Sequence, residues 1–295
     1  MRKILIATDS CSDLKKEIRE RYNIEYLRMN TVKDGVETIA SLDWEYYSPK
    51  DLYDTIRGGK RVTTTQVPAK EFEERFKEWL AQGYDIVYIA CSSKLSGSVN
   101  TGEMAAKELL RDYPGATIRC VDSLNASGGE GQVAVRAALL RDKGLSADEI
   151  ADELDRVKNN VNQFVTVHNL NALKAAGRVK ASSAFFGNLL GVKPILVSDK
   201  NGDNVAIKKV KGRLNSLEEI VNLTVDGIIP EDNEFIYVAH ADCEDEAQEV
   251  VKLLNEKLPG VKVELGYIGP IIGASIGADA IGIFCWGKSC ERFTV

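Results

Sequence analysis

Apolar and polar positions alternate between two periods along the first half of the chain. Lys3 to Thr8 is a short β-prone run that ends in the polar turn Asp9-Ser10-Cys11-Ser12-Asp13. A helical stretch follows, with Ser12 or Asp13 as candidate N-cap. Phe72, Phe76, Trp79 and Leu80 recur at i, i+4, i+7 and i+8, which predicts an amphipathic helix over Ala69 to Ala81. Asp85 to Cys91 is nearly continuous in apolar residues, as in a strand buried on both faces. A helix is expected over Ser98 to Arg111, a strand over Thr117 to Asp122, and a helix over Gly128 to Asp142. A last helix runs from Ser146 to Asn159, opened by a Ser146/Glu149 capping box. Strands alternating with helices predict a Rossmann-like parallel sheet with right-handed crossovers.

The second half has a different rhythm. Two β runs, Val192 to Val197 and Val205 to Val210, flank Asn201-Gly202, a strong hairpin signal. Helices near Ser216 to Asp226 and Asp245 to Lys257 separate strands at Phe235 to His240, Val261 to Ile268 and Ala280 to Trp286. This predicts a mixed or antiparallel α+β domain. The chain of 295 residues suits one large domain or two moderate ones. The change of rhythm favours two, over residues 1–160 and 161–295.

Charge and cysteine usage narrow the function. A net charge of −6 and a pI near 5.3 argue against a protein devoted to nucleic acid, where basic side chains must neutralise phosphates. The mean hydropathy of −0.18, with no apolar run of about 18 residues, argues against a membrane span. The opening apolar stretch is too short for a signal peptide, so a cytoplasmic protein is expected. The six cysteines form no CxxC pair, and the two histidines, His168 and His240, add no ligand motif. Spacing thus argues against a zinc motif, and no metal or cofactor is expected.

Three motif matches fail on context. Gly282 to Ser289 fits the phosphate-loop pattern, but the span between its glycines is itself strand-like and too little chain follows for the helix that holds phosphate. Gly129-Glu130-Gly131 fits a relaxed dinucleotide fingerprint, but the turn before it is too long and Glu130 would oppose a pyrophosphate. Gly273-Ala274-Ser275-Ile276-Gly277 fits a nucleophile elbow, but no histidine follows it.

Four hydroxyl-rich segments remain, at positions where strands should end: Thr8 to Asp13, Thr63 to Gln66, Ser92 to Ser98, and Asp122-Ser123. In an open parallel sheet such loops converge on one crevice, and hydroxyls with helix N-termini suit an anionic head group. Gly97 would let the backbone approach a ligand closely.

These segments resemble the DegV family of bacterial fatty-acid-binding proteins, which includes the FakB type. Thr8-Asp9-Ser10 with Asp13-Leu14 is similar to the family's T-D-S-x-x-D-L. Thr64-Thr65-Gln66-Val67-Pro68 with Phe72 resembles T-S-Q-P-S-x-x-x-F, and Ser92 to Ser98 resembles S-S-x-L-S-G-T. Val121-Asp122-Ser123 with Ser127, Gly129 and Gly131, then Leu170 to Val179, then Gly269-Pro270 with Gly273, match three further motifs in order. The resemblance spans nearly the whole chain. It implies two α/β domains holding a long-chain fatty acid in an apolar tunnel between them. Thr64 and Ser96 would bind the carboxylate, with Gly97, Ser10 and Ser275 among the binding residues, and Arg178 near the head group. It further implies a non-catalytic carrier that presents the acid to a fatty acid kinase. One position departs from the family: Ser275 stands where the late loop usually carries His, and a hydroxyl cannot titrate near neutral pH. The residues alone leave a second reading open. An enzyme acting on a small anionic substrate, such as a phosphorylated one, would use Arg178, Lys94 and Ser96.

Overall fold

Aliphatic runs flanked by polar turns become the strands of the first half. The structure, a computed structural model, describes residues 2–186 and 191–293. A four-stranded parallel sheet contains β1 (Lys3–Asp9), β2 (Ile24–Leu27), β6 (Tyr84–Ala90) and β7 (Ile118–Asp122), in the order β2-β1-β6-β7. A small antiparallel sheet of β3 (Met29–Lys33), β4 (Val36–Ala40) and β5 (Val62–Thr64) stands beside it. The helices are α1 (Lys16–Tyr22), α2 (Pro49–Arg57), α3 (Ala69–Ala81), α4 (Ser98–Leu109), α5 (Gly128–Asp142) and α6 (Ala147–Val157). Phe72, Phe76, Trp79 and Leu80 form the buried face of α3, and Ser146 caps α6 reciprocally with Glu149, as their spacing predicts.

The start of α1 differs from expectation. Its N-cap is Lys15, without a side-chain cap bond. Ser12 is fully buried, and Asp13 has φ +52° and uses its carboxylate to accept the Ser127 hydroxyl at 2.6 Å. Both side chains are drawn into the core before the helix begins.

The second half forms one six-stranded sheet in the order β10-β9-β8-β13-β11-β12. Its strands are β8 (Val161–Thr166), β9 (Val192–Ser198), β10 (Asn204–Lys211), β11 (Ile236–His240), β12 (Val263–Tyr267) and β13 (Ile281–Trp286). All pairings are antiparallel except β11 with β12, joined through α9 (Glu244–Lys257). Helices α7 (Asn171–Ala176), α8 (Arg213–Gly227) and α10 (Pro270–Ile276) complete this half. The mixed sheet beside a parallel-sheet domain is the expected fold class.

Helix α5 is buried along most of its length and touches strands of both large sheets. Its glycines serve that packing. A Cβ on Gly128 would fall 2.5 Å from both Phe284 and Tyr237, and one on Gly131 would fall 2.6 Å from Leu14. The dinucleotide-like pattern therefore marks close helix packing. The phosphate-loop match is the core strand β13, buried at all six positions between β8 and β11.

Polar contacts also tie the halves together. Tyr53 donates to the Ile268 carbonyl at 2.6 Å, and Tyr237 donates to the Asp13 carbonyl at 2.7 Å. Arg57 bridges Asp242 at 2.5 Å and Asp279 at 2.6 Å. Glu264 accepts from Lys15 and Arg21 across the junction. One apolar cluster runs continuously through both halves, from Ile6 and Leu14 to Val165 and Phe284.

Candidate functional site

A cavity of about 160 Å³ opens where the two halves meet. Its lining is graded. Cys11, Met29, Cys91, Val165, Leu196, Ile271 and Phe284 line it and are buried, whereas Thr64, Ser96 and Ser275 are half-buried and Arg178 is exposed. The buried part of the lining is thus mostly apolar, apart from Ser127 and Gln163, and polar groups gather among the more exposed residues. That distribution suits an amphipathic ligand lying with its tail inward.

The polar rim follows from how strand ends and helix starts meet. Thr64 ends β5, and Ser96 and Gly97 precede the first turn of α4. Free N–H groups in that turn carry partial positive charge toward the rim. Ser98 Oγ accepts the Val67 N–H at 3.2 Å and lies 2.9 Å from Ser96 Oγ. Ser96 Oγ also accepts the Ser98 N–H at 3.3 Å. With Ser98 donating to Ser96, the Ser96 proton is left to donate outward. Among the described residues, Thr64 Oγ1 is engaged in no hydrogen bond. Two hydroxyls therefore line the same rim.

Arg178 reaches that rim from the other half. Gly177 terminates α7 in the left-handed region, φ +69°, which favours glycine, and so turns the chain toward the Ser96 loop. Arg178 Nε donates to the Leu95 carbonyl at 2.9 Å, and its Nη1 donates to the Ala176 carbonyl. Its guanidinium is thus anchored one residue from Ser96. Asn204 Nδ2 donates to the Arg178 carbonyl at 3.1 Å, and Asn204 Oδ1 accepts from Gln163 Nε2 at 2.8 Å; both residues also line the cavity.

The remaining candidates sit differently. Ser275 lines the cavity from α10, but its hydroxyl donates to the Ile271 carbonyl at 3.2 Å, one turn earlier. It can accept from a ligand as it stands, but must rotate to donate. Gly97 faces Gln66: a Cβ there would fall 2.2 Å from Gln66 Oε1. Ser10 is not brought to the cavity. It is fully buried, donates to the Ala40 carbonyl at 2.8 Å and accepts the Met29 N–H at 3.0 Å. Its work is to hold the start of β3 against β1. Lys94 is exposed and lies outside the lining.

The deep wall carries residues that spacing did not reveal. Cys11 and Cys91 face the cavity from the ends of β1 and β6, and Glu130 lies behind them. Hydrogen bonding to Cys91, then burial, pushes the Cys11 thiol well up. Burial, then the charge of Asp9, pushes the Glu130 carboxyl well up.

Among the described residues, no helix is long and apolar enough to cross a membrane. A sequence model of the DegV family, whose members it describes as uncharacterised, matches residues 3–288. A DegV domain-containing protein of Clostridium perfringens is 35% identical over 291 residues, covering 99% of this chain and all of that protein. One from Streptococcus pyogenes is 30% identical over 284 residues, covering 96% of this chain and 98% of that one. Among solved structures, a DegV family protein from Thermus thermophilus, described as binding fatty acid, superposes with a TM-score of 0.85 at 28% identity. It covers 97% of this chain and 100% of that one. DegV of Bacillus subtilis, described as a fatty acid binding protein, gives 0.81 at 27% identity with the same coverage.

Proposed function

This chain belongs to the DegV family, and from that premise we propose that it is a non-catalytic carrier that binds a long-chain fatty acid between its two domains. The observation that carries this reading is the graded cavity, with the hydroxyls of Thr64 and Ser96 beside a mostly apolar buried wall. Each hydrogen bond to a carboxylate contributes about 1.5–3 kcal/mol. Each buried methylene of the tail contributes about 0.8 kcal/mol. Affinity then comes from the tail, and orientation from the head.

The cavity of about 160 Å³ compares with the roughly 150 Å³ that holds one benzene ring. A long tail therefore parts the wall as it enters. The short helices α7 and α10, which place Leu173, Ile272 and Ile276 along the lining, are the elements that give way. At the rim, exposed Arg178 beside the Ser96 loop suits presentation of the carboxylate to a separate fatty acid kinase. Ser275 replaces a titratable His there, so this chain supports the hand-off without a proton-exchanging group from α10. A domain boundary at residues 160/161, immediately before β8, fits this division of the cavity walls.

Denaturing extraction of the purified protein followed by mass spectrometry tests the carrier reading. An acyl chain should co-purify, and a fluorescent fatty acid should bind competitively with it. Absence of both would overturn it. The rival reading, an enzyme on a small anion with Arg178, Lys94 and Ser96 as its working groups, finds Arg178 and Ser96 in the lining and Lys94 outside it.

A further inference from the structure

Two cysteines and a glutamate, far apart in sequence, meet at the deep end of the cavity. Cys11 and Cys91 follow β1 and β6, which are neighbouring parallel strands, so the two loops leave the sheet side by side. Their Sγ atoms and a carboxylate oxygen of Glu130 all lie within 4.8 Å of one another. Met29 Sδ stands 3.6 Å from Cys11 Sγ and also lines the cavity.

Glu130 is only half satisfied. Its Oε1 accepts the Thr8 hydroxyl at 2.6 Å and the Asp9 N–H at 3.4 Å. Among the described residues its Oε2 has no partner, although the residue is 0% exposed. A buried carboxylate oxygen without a donor is costly, and calls for a further group beside it. The neighbours decide which group. Thiols and a thioether are weak partners for water, yet are strong ligands for soft closed-shell cations.

We propose that Cys11, Cys91 and Glu130 form a buried site for a thiophilic divalent cation of the zinc type, with the Met29 thioether at its flank. The surroundings are organised for it. Asp9 accepts the backbone N–H of Cys11 at 2.8 Å through Oδ1 and that of Cys91 at 3.3 Å through Oδ2. Tyr88 fixes the same Oδ2 at 2.6 Å. One carboxylate thus sets the backbone of both cysteine ligands, as outer partners do in built metal sites. The ligands bind as two thiolates and a carboxylate, and the dication offsets two of their three charges. Cys11, Cys91 and Met29 line the same cavity as Thr64 and Ser96, but the site does not rest on the carrier reading, because its test reads the bound metal and not the acid.

The test uses the full chain, stripped with chelator and kept under reductant. It is titrated with Zn²⁺, Cd²⁺ and, as control, Mg²⁺. The expected result is one equivalent of Zn²⁺ or Cd²⁺ and none of Mg²⁺, with a sulfur-to-cadmium charge-transfer band in the ultraviolet. Glu130→Gln should weaken Zn²⁺ at least tenfold while keeping that band. The Cys11→Ser/Cys91→Ser double variant should lose binding and band together, and Cys120→Ser should match the parent. Alkylation mapping on the parent protein covers the case of a misfolded variant: Zn²⁺ should protect Cys11 and Cys91 and no other thiol. Absence of stoichiometric binding, retention in the folded double variant, or protection of other cysteines would overturn the site.

Discussion

Ser98 stands directly behind Ser96, with their hydroxyl oxygens 2.9 Å apart, and takes the Val67 N–H on its far side. When Ser98 is the donor in this pair, it leaves the Ser96 proton to point toward the rim. Replacing Ser98 with Ala removes the orienting donor without touching the ligand. Fatty acid affinity should fall about fivefold, in line with about 1 kcal/mol for one hydrogen bond. Methyl ester affinity should stay within twofold. Displacement of a fluorescent fatty acid measures both, and an unchanged acid affinity would remove Ser98 from the account.

The deep wall is predicted to respond in the opposite way. Ile272 lines the cavity from α10 and is half-buried, so a larger side chain there can enter the cavity without rebuilding the sheet. Ile272→Trp should weaken acid and methyl ester alike, each at least tenfold. A loss confined to the acid would place Ile272 at the head rather than the tail.

Arg57 ties the two halves through Asp242 and Asp279. Its side chain is 34% exposed, so solvent screens the pairs. Arg57→Ala should cost about 1 kcal/mol of unfolding free energy, and the cost should shrink with added salt. Urea unfolding at two salt concentrations checks this, and a salt-independent cost would point to packing instead.

Glu264 accepts from Lys15, Lys262 and Arg21. Burial pushes its carboxyl up, but these hydrogen bonds outweigh burial and hold it at about 2, below its ordinary 4.5. The folded form therefore binds the proton less readily than the unfolded form. The resulting stability is fully present above about pH 4.5 and is lost as pH falls toward 2. Glu264→Gln should lower stability by on the order of 2–3 kcal/mol at pH 7 and narrow that gap progressively below pH 4.5. Thermal unfolding of both proteins between pH 7 and 2 is the measurement; parallel profiles would contradict it.

Local signals read well wherever one element contains its own evidence. The apolar spacing of α3, the reciprocal cap of α6 and the Asn201-Gly202 hairpin all appear where periodicity and turn chemistry place them. What the chain hid depends on distant partners. The sheet of β3, β4 and β5 is built from short, half-exposed strands with weak alternation. Strand β8 is buried on both faces, and only its neighbours β13 and β9 distinguish it from a helix segment. The site divides along the same line. Thr64, Ser96 and Arg178, which motifs running in sequence order single out, line one cavity. Ser10 carries the same motif evidence, yet its hydroxyl is spent on the Ala40 carbonyl. The meeting of Cys11, Cys91 and Glu130 follows from sheet order and helix packing, which spacing does not encode.

The central claim is that Thr64 and Ser96 hold a fatty acid by its carboxylate. The most direct measurement compares a fatty acid with its methyl ester on the parent protein and on the Thr64→Ala/Ser96→Ala double variant. Two lost charge-assisted hydrogen bonds, at about 1.5–3 kcal/mol each, predict a fall of about 100-fold or more for the acid. The ester should change by less than about threefold. Equal losses for acid and ester would contradict the claim.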